Sequence, residues 1–180
     1  MKKLFIFLFL ILYSFGFSQV KLLSWNIENF GKSKSNAEIA YIATQLNKYD
    51  VVALQEVVAG YGGAQAVARL ADELNRKGNK WEYTISNPTT STPSKTERYA
   101  FLWKSAIIKK IGKAWLEKKY ASVMEREPFL CTFEYSNKQF TVVSFHAITK
   151  SKQPEREIKY FKYFPSAYHK LNLIFAGDFN

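Results

Sequence analysis

The spacing of apolar positions changes along the chain. It predicts strands alternating with helices in the first half and hairpins in the second. "VKLLSWNI" (20–27) reads as a first strand. In "SNAE" the Ser35 hydroxyl can accept from the amide of Glu38, and Glu38 can reach back, which makes a capping box. Ile39, Ile42, Ala43 and Leu46 follow at helical spacing. "VVALQEV" (51–57) is apolar without alternation, as a strand covered on both faces is. Val67, Leu70, Ala71 and Leu74 predict a second helix, with Gly78 as its stop. "WEYTIS" is a strand and "NPTTSTPSKT" a polar, proline-marked loop. "RYAFLWK", "PFLCTFEY" and "QFTVVSFHA" are three more strands, the last two joined by a turn at Ser136–Lys138. Pro154 predicts the first turn of a helix with Glu155 and Glu157 near its positive end, and Pro165 breaks that helix around Phe164. "LNLIFAGDF" is the last strand. The pattern is α/β with a mixed sheet, one domain and no internal repeat.

Composition sharpens this in three ways. Hydrophobic content of 47% with 15 Phe, 11 Tyr and 4 Trp requires a packed core and excludes disorder. A net charge of +11 favours an anionic partner: nucleic acid, phospholipid or another phosphate ester. The single cysteine, Cys131, sits in a predicted strand, so no internal disulfide forms and a buried thiol is expected. The N-terminus has the three parts of a secretory signal peptide: Lys2 and Lys3, an apolar run from Leu4 to Leu12, and small residues Gly16 and Ser18 before Gln19. The run is short for a membrane span. Residues 1–18 are therefore expected to be a signal peptide and residues 19–180 the folded domain, secreted or periplasmic, without a stable membrane anchor and monomeric.

The polar residues that stand out sit at the ends of predicted strands: Asn26 in "SWNI", Glu56 in "LQEV", Glu97 in "TERY", His146 in "SFHA", and Asp178 with Asn180 in "GDFN". Strand ends are where α/β sheets place ligands. Taken singly, a Glu after a strand is a solvated turn residue, a strand-end His is a satisfied surface or core residue, and Asp178 is a turn former after glycine. Five such clusters in one chain point to a common site.

The order of "WNIENFG", "YDVVALQEV", "ERYAFLWK", "REPF", "FHA" and "GDFN" resembles the endonuclease/exonuclease/phosphatase superfamily, and within it the deoxyribonuclease I-like branch. The resemblance covers Val20 to Asn180. It implies two mixed β-sheets packed in a sandwich flanked by helices, a four-layer fold, and divalent-metal-dependent hydrolysis of a phosphodiester. Mg²⁺ or Mn²⁺ would serve, with Ca²⁺ as a further ion. The resemblance makes Glu56 the carboxylate metal ligand with Asn26 beside it. One carboxylate plus one amide suits a hard cation that keeps several waters. Glu97 would orient His146, and a carboxylate partner favours the imidazolium, which can donate to a phosphoryl or leaving-group oxygen. Arg126 would grip a phosphate with its planar fork. Asp178 and Asn180 would flank the scissile phosphate and position water.

Two departures from the family pattern shape the expectation. Family members continue past "GDFN" with further strands of the second sheet, another carboxylate and an Asp–His pair. By that comparison the C-terminal part of the second sheet is missing here, the last strand has an unpaired edge and an uncovered apolar face, and catalysis by these residues alone is nearly absent. His169, the only other histidine, reads as a solvated helix-end residue. The branch's two minor-groove residues correspond to Val58 and Lys95, of which Lys95 alone can meet a phosphate. The expected partner is nucleic acid, duplex DNA first, with single strands and RNA open. A phospholipid or sugar-phosphate phosphoesterase, or a non-catalytic anion-binding remnant, are the competing readings.

Overall fold

The computed structural model describes residues 19–92 and 95–180; the expected signal peptide, residues 1–18, lies outside them. Two four-stranded sheets form its centre. The first has the order β1-β2-β4-β3, with β1 Leu22–Phe30, β2 Val51–Val58, β3 Trp81–Ile85 and β4 Glu97–Lys104. The second has the order β5-β6-β7-β8, with β5 Lys109–Leu116, β6 Phe129–Tyr135, β7 Lys138–His146 and β8 Leu173–Asp178. In each sheet the strand that carries an expected site residue at one edge, β1 or β8, runs parallel to its neighbour, and the other pairings are antiparallel. The expected class, two mixed sheets in a flanked sandwich, is the fold observed.

Three apolar layers hold it. Alternation in β2 sends Val51 and Ala53 to the inter-sheet core with Tyr99, Phe101, Phe129 and Phe133. Val52 and Leu54 point the other way, beneath helices α1 (Asn36–Leu46) and α2 (Tyr61–Asn75). Burial on both faces explains why β2 shows no polar alternation. Helix α1 begins with the expected capping box: Ser35 Oγ accepts from the Glu38 amide at 3.2 Å, and the Glu38 carboxylate accepts from the Ser35 amide at 2.7 Å. Helix α2 buries Val67, Leu70, Ala71 and Leu74 as its spacing predicts, and Gly78 beyond it takes φ +93°, the left-handed geometry of a stop. Leu130, Val143, Phe145 and Phe164 form the third layer, on the outer face of the second sheet.

Strand β5, "KKIGKAWL", is absent from the pattern-based expectation. Its lysines and Gly112 mask the periodicity, because it is an edge strand with no fully buried residue. The β6–β7 turn is tighter than expected. Ser136 and Asn137, at φ +48° and +61°, make a two-residue turn, and Lys138 already pairs with Tyr135. The helix expected after Pro154 is broken into pieces: α3 (Glu155–Ile158), a 3₁₀ stretch (Lys159–Tyr163) and α4 (Phe164–Ala167). Pro165 has no N–H to continue a helical ladder but suits a first turn, so helix restarts at Phe164.

Strand β8 pairs with β7 alone among the described strands, so its outer edge is open as expected. The apolar face is not uncovered, however. Phe175 packs on Phe161 and Phe164, at ring separations of 4.9 and 5.8 Å, while Ile174 is 37% exposed. Cys131 is buried and unpaired, and burial pushes its thiol up to about 12. Among the described residues no helix is long and apolar enough to cross a membrane.

Candidate active site

Both sheets deliver their polar residues to the same end of the sandwich. Because β4 runs antiparallel to β2, the first residue of β4, Glu97, lies opposite Val58 near the end of β2. In the second sheet His146, the last residue of β7, lies opposite Asp178, the last residue of β8. Glu97 thus opens its strand instead of closing it, and only the antiparallel pairing brings it into the group.

A buried polar tie sits beneath this end. Gln55 Nε2 donates to Ser144 Oγ at 2.8 Å and to Ser24 Oγ at 3.1 Å, joining β2 to both β7 and β1. Above it the backbone leaves regular strand geometry. The β2–β4 register shifts between Leu54 and Val57, and Glu56 adopts φ +57°. For a residue with a side chain this costs about 1–3 kcal/mol, and such conformations gather at functional sites. The β1–β2 register shifts as well, with Asn29 at φ +51°. The two irregularities meet: the Asn29 amide donates to Glu56 Oε2 at 3.1 Å.

Asn26 is the hub of the acidic side. Its Nδ2 donates to Glu56 Oε1 at 2.9 Å and to Asp178 Oδ2 at 2.8 Å. Asn26 Oδ1 is buried and has no hydrogen-bond partner among the described residues. Burial pushes the Asp178 carboxyl up. The hydrogen bonds from Asn26 and from the Asn180 amide (3.0 Å), with His146 and Arg126 nearby, outweigh burial and hold it below the usual carboxylate range.

His146 belongs to a second set. Its Nδ1 lies 2.9 and 3.1 Å from the two oxygens of Glu97, which leaves Nε2 facing Glu56 Oε1 at 3.9 Å. The Glu56 amide also donates to Glu97, at 3.3 Å. Tyr99 fixes the other side of the histidine: its hydroxyl accepts from the His146 amide at 3.2 Å. Burial, then the charge of Glu97, raises the Tyr99 phenol well above its ordinary value, so it stays neutral. Arg126 is buried in a loop. It donates through Nε to the His146 carbonyl (3.1 Å) and through a terminal nitrogen to that of Ala147 (2.7 Å), and it lies 3.5 Å from Glu97. Much of its fork is thus spent on the end of β7. Asn180 Nδ2 donates to the same Ala147 carbonyl at 2.9 Å.

All seven expected site residues therefore gather at one end of the sandwich. Glu56, Glu97, Arg126 and His146 line a cleft of roughly 310 Å³, with Asn29, Val58 and Lys95 on its wall. Lys95 pairs with Glu125 at 3.5 Å. His169 is exposed in the turn before β8, as expected. Sequence reasoning missed Asn29, Gln55 and Tyr99. A polar Gln inside an otherwise apolar strand was a visible signal for Gln55, whereas Tyr99 looked like ordinary core.

Among the described residues no three His, Cys, Asp or Glu side chains are arranged to hold a metal ion. The donor set still fits a hard divalent cation: the orphaned, buried Asn26 Oδ1 and the adjacent Glu56 carboxylate are both oxygen ligands.

Comparisons with known proteins identify the family. Residues 23–180 match the model of the Endonuclease/Exonuclease/phosphatase family. Deoxyribonuclease-1 of Bos taurus is 30% identical over 173 residues, covering 89% of this chain and 60% of that protein. A deoxyribonuclease of Thioalkalivibrio sp. (strain K90mix) is 33% identical over 131 residues, covering 71% of this chain and 34% of that protein. The chain thus spans about three-fifths, or less, of these relatives' lengths. Among solved structures, D. rerio TDP2 complexed with single strand DNA product superposes with TM-score 0.60 at 16% identity, over 89% of this chain and 60% of that one. The human Nocturnin catalytic domain with bound sulfate anion gives TM-score 0.54 at 20% identity, covering 89% and 64%. These likenesses show the shared fold. With the family model matched across nearly its whole length, the chain belongs to the Endonuclease/Exonuclease/phosphatase family.

Proposed function

We propose that this chain acts in divalent-metal-dependent hydrolysis of nucleic acid phosphodiesters, with DNA as first substrate and RNA as second. One observation carries the reading: a Glu97-held His146 shares a cleft with Glu56, which Asn26 ties to Asp178. Glu97 accepts from Nδ1 and so presents His146 Nε2 to the cleft as the donor to a phosphoryl or leaving-group oxygen. Asp178, ionised by its hydrogen bonds, accepts from and orients the attacking water. Asn180 and Arg126 clamp the Ala147 carbonyl and fix the end of β7, and the positive charge of Arg126 faces the bound phosphate. Glu56 and Asn26 Oδ1 would hold the cation, whose chemistry is to neutralise charge on the phosphoryl oxygens. Mg²⁺ is the ion such oxygen ligands suit, and one carboxylate binds it weakly until a phosphate adds its own oxygens. The basic composition and the deoxyribonuclease relatives support a nucleic acid substrate. The Lys2–Ser18 segment supports export, to the periplasm or outside the cell.

The test is nicking of supercoiled plasmid by the purified protein with Mg²⁺ or EDTA, beside Mn²⁺ binding followed by EPR. Weak, cation-dependent nicking is expected, reduced ~10²–10⁴-fold in His146→Ala. Mn²⁺ binding should be lost in Glu56→Ala. Nicking that survives EDTA, or Mn²⁺ binding indifferent to Glu56, refutes the reading. Release of phosphocholine from sphingomyelin without nicking would move the substrate to phospholipid.

A further inference from the structure

Three Lys-Tyr pairs meet on one surface: Lys119-Tyr120 from one part of the chain, and Lys159-Tyr160 and Lys162-Tyr163 from a single later turn. The Tyr120 ring stacks on Tyr163 (centroids 6.4 Å apart, planes at 19°) and lies 6.3 Å from Tyr160. Tyr120 also stacks on buried Phe164 at 5.3 Å, which anchors the group to the core. Each ammonium sits over its own tyrosine, at 5.7, 5.3 and 4.9 Å in chain order. Tyr163 is 46% exposed. Among the described residues none of the three lysines has a carboxylate within ion-pair distance. The carboxylates closest to them in sequence, Glu117 and Glu157, are both buried, and Glu117 accepts from the Lys119 and Tyr120 amides and the Tyr168 hydroxyl.

This platform is connected to the cleft. The segment from Tyr120 to Arg126 runs beside the segment from Tyr163 back to His146. At one end the tyrosines touch; at the other Arg126 holds the His146 and Ala147 carbonyls. In between, Glu157 is buried and accepts from the Glu125 and Ile148 amides. A groove of about 490 Å³ follows this path, and Lys152 and Arg156 lie along it. Lys95, on the cleft wall, interacts with Lys152, which is pulled below the usual lysine value by that neighbour. Lys95 pairs with Glu125 at 3.5 Å, and Glu125 lines the groove together with Lys152.

We infer that the tyrosine platform and this groove form a binding track for single-stranded nucleic acid leading out of the cleft. Unpaired bases stack on Tyr160 and Tyr163, and Lys159, Lys162 and Lys152 meet the phosphates. Stacking faces interleaved with ammonium groups are the chemistry that recognises a single strand without regard to its sequence. A duplex keeps its base faces covered and gains only the phosphate contacts. The inference rests on the nucleic acid reading of the cleft, but binding tests it separately from turnover.

The experiment is fluorescence anisotropy of the full chain with a labelled, short single-stranded oligodeoxynucleotide in EDTA, so that nothing is cleaved. Tyr163→Ala should weaken binding about tenfold, and Tyr163→Phe should not. Lys159→Gln/Lys162→Gln, two exposed changes that spare the core, should flatten the slope of log K against log salt by roughly 1.4. Wild-type protein that binds the oligonucleotide in EDTA but does not nick plasmid with Mg²⁺ defeats the hydrolytic reading and leaves this one standing, so the two failures stay distinct. Unchanged affinity and salt slope in the platform variants overturn the inference. So does a result in which the same variants lose binding to phosphatidylserine vesicles while oligonucleotide binding is untouched, which would make the surface a membrane contact.

Discussion

Asn26 Nδ2 donates to Asp178 Oδ2 at 2.8 Å across 152 positions of sequence and so joins the edge strands of the two sheets. The same nitrogen donates to Glu56 at 2.9 Å. One amide thus keeps two carboxylates together that would otherwise repel each other. Asn26→Asp replaces the donor with a third acid. We expect a loss of about 1–2 kcal/mol at neutral pH. Millimolar Mg²⁺ should restore part of it, and so should mild acid, which protonates one of the three. Thermal melts with and without Mg²⁺ at two pH values check this.

Glu97 and Arg126 are both buried, and Glu97 is also the partner of His146. Removing the carboxylate leaves a buried guanidinium without its counter-charge. Glu97→Ala should therefore cost about 3–5 kcal/mol in urea denaturation. Glu97→Gln keeps an oxygen acceptor for the histidine and should cost distinctly less. Equal losses in the two variants would mean that charge plays no part.

Asp178 has its carboxyl held below the usual range in the folded state. A depressed folded pKa adds stability that is fully present above the unfolded value of about 3.9 and is lost as pH falls through the folded value. The difference in unfolding free energy between wild type and Asp178→Asn should therefore be constant from pH 7 down to about 5 and shrink below about 4. A difference that grows in acid would contradict the assignment. Urea titrations across this range read it directly.

Gly177 delivers Asp178 to the site at φ +157°, and a Cβ there would lie 1.9 Å from the Phe145 carbonyl oxygen. Backbone cannot yield that far without parting β8 from β7. Gly177→Ala should destabilise the fold by more than about 1 kcal/mol. It should also loosen the Asn26–Asp178 contact, visible as faster amide exchange along β8.

Much of this was legible in the chain before any coordinates. Helix α1 announced itself through Ser35, Glu38 and the Ile39–Leu46 spacing because capping and amphipathicity are local. Six of the seven expected site residues stood out at the ends of predicted strands; Arg126 came only with the resemblance, which also implied the roles. Strand β5 was not legible, since an edge strand is excused from the alternation that burial enforces and its lysines look like loop. Pro165 marked the break around Phe164, but nothing in the chain marked the 3₁₀ stretch Lys159–Tyr163 that precedes it.

By itself the sequence determined which segments become strands or helices and which residue types could serve phosphate chemistry. Both depend on neighbours a few positions away. Tertiary structure alone decided that Glu97, at the start of its strand, meets His146, at the end of another. It decided too that Asn26 binds both acids, that Arg126 spends its donors on carbonyls, and that three separate tyrosines form one surface. Those relations depend on strand order, direction and register, which are set by the packing of two sheets face to face, and no local spacing carries that information.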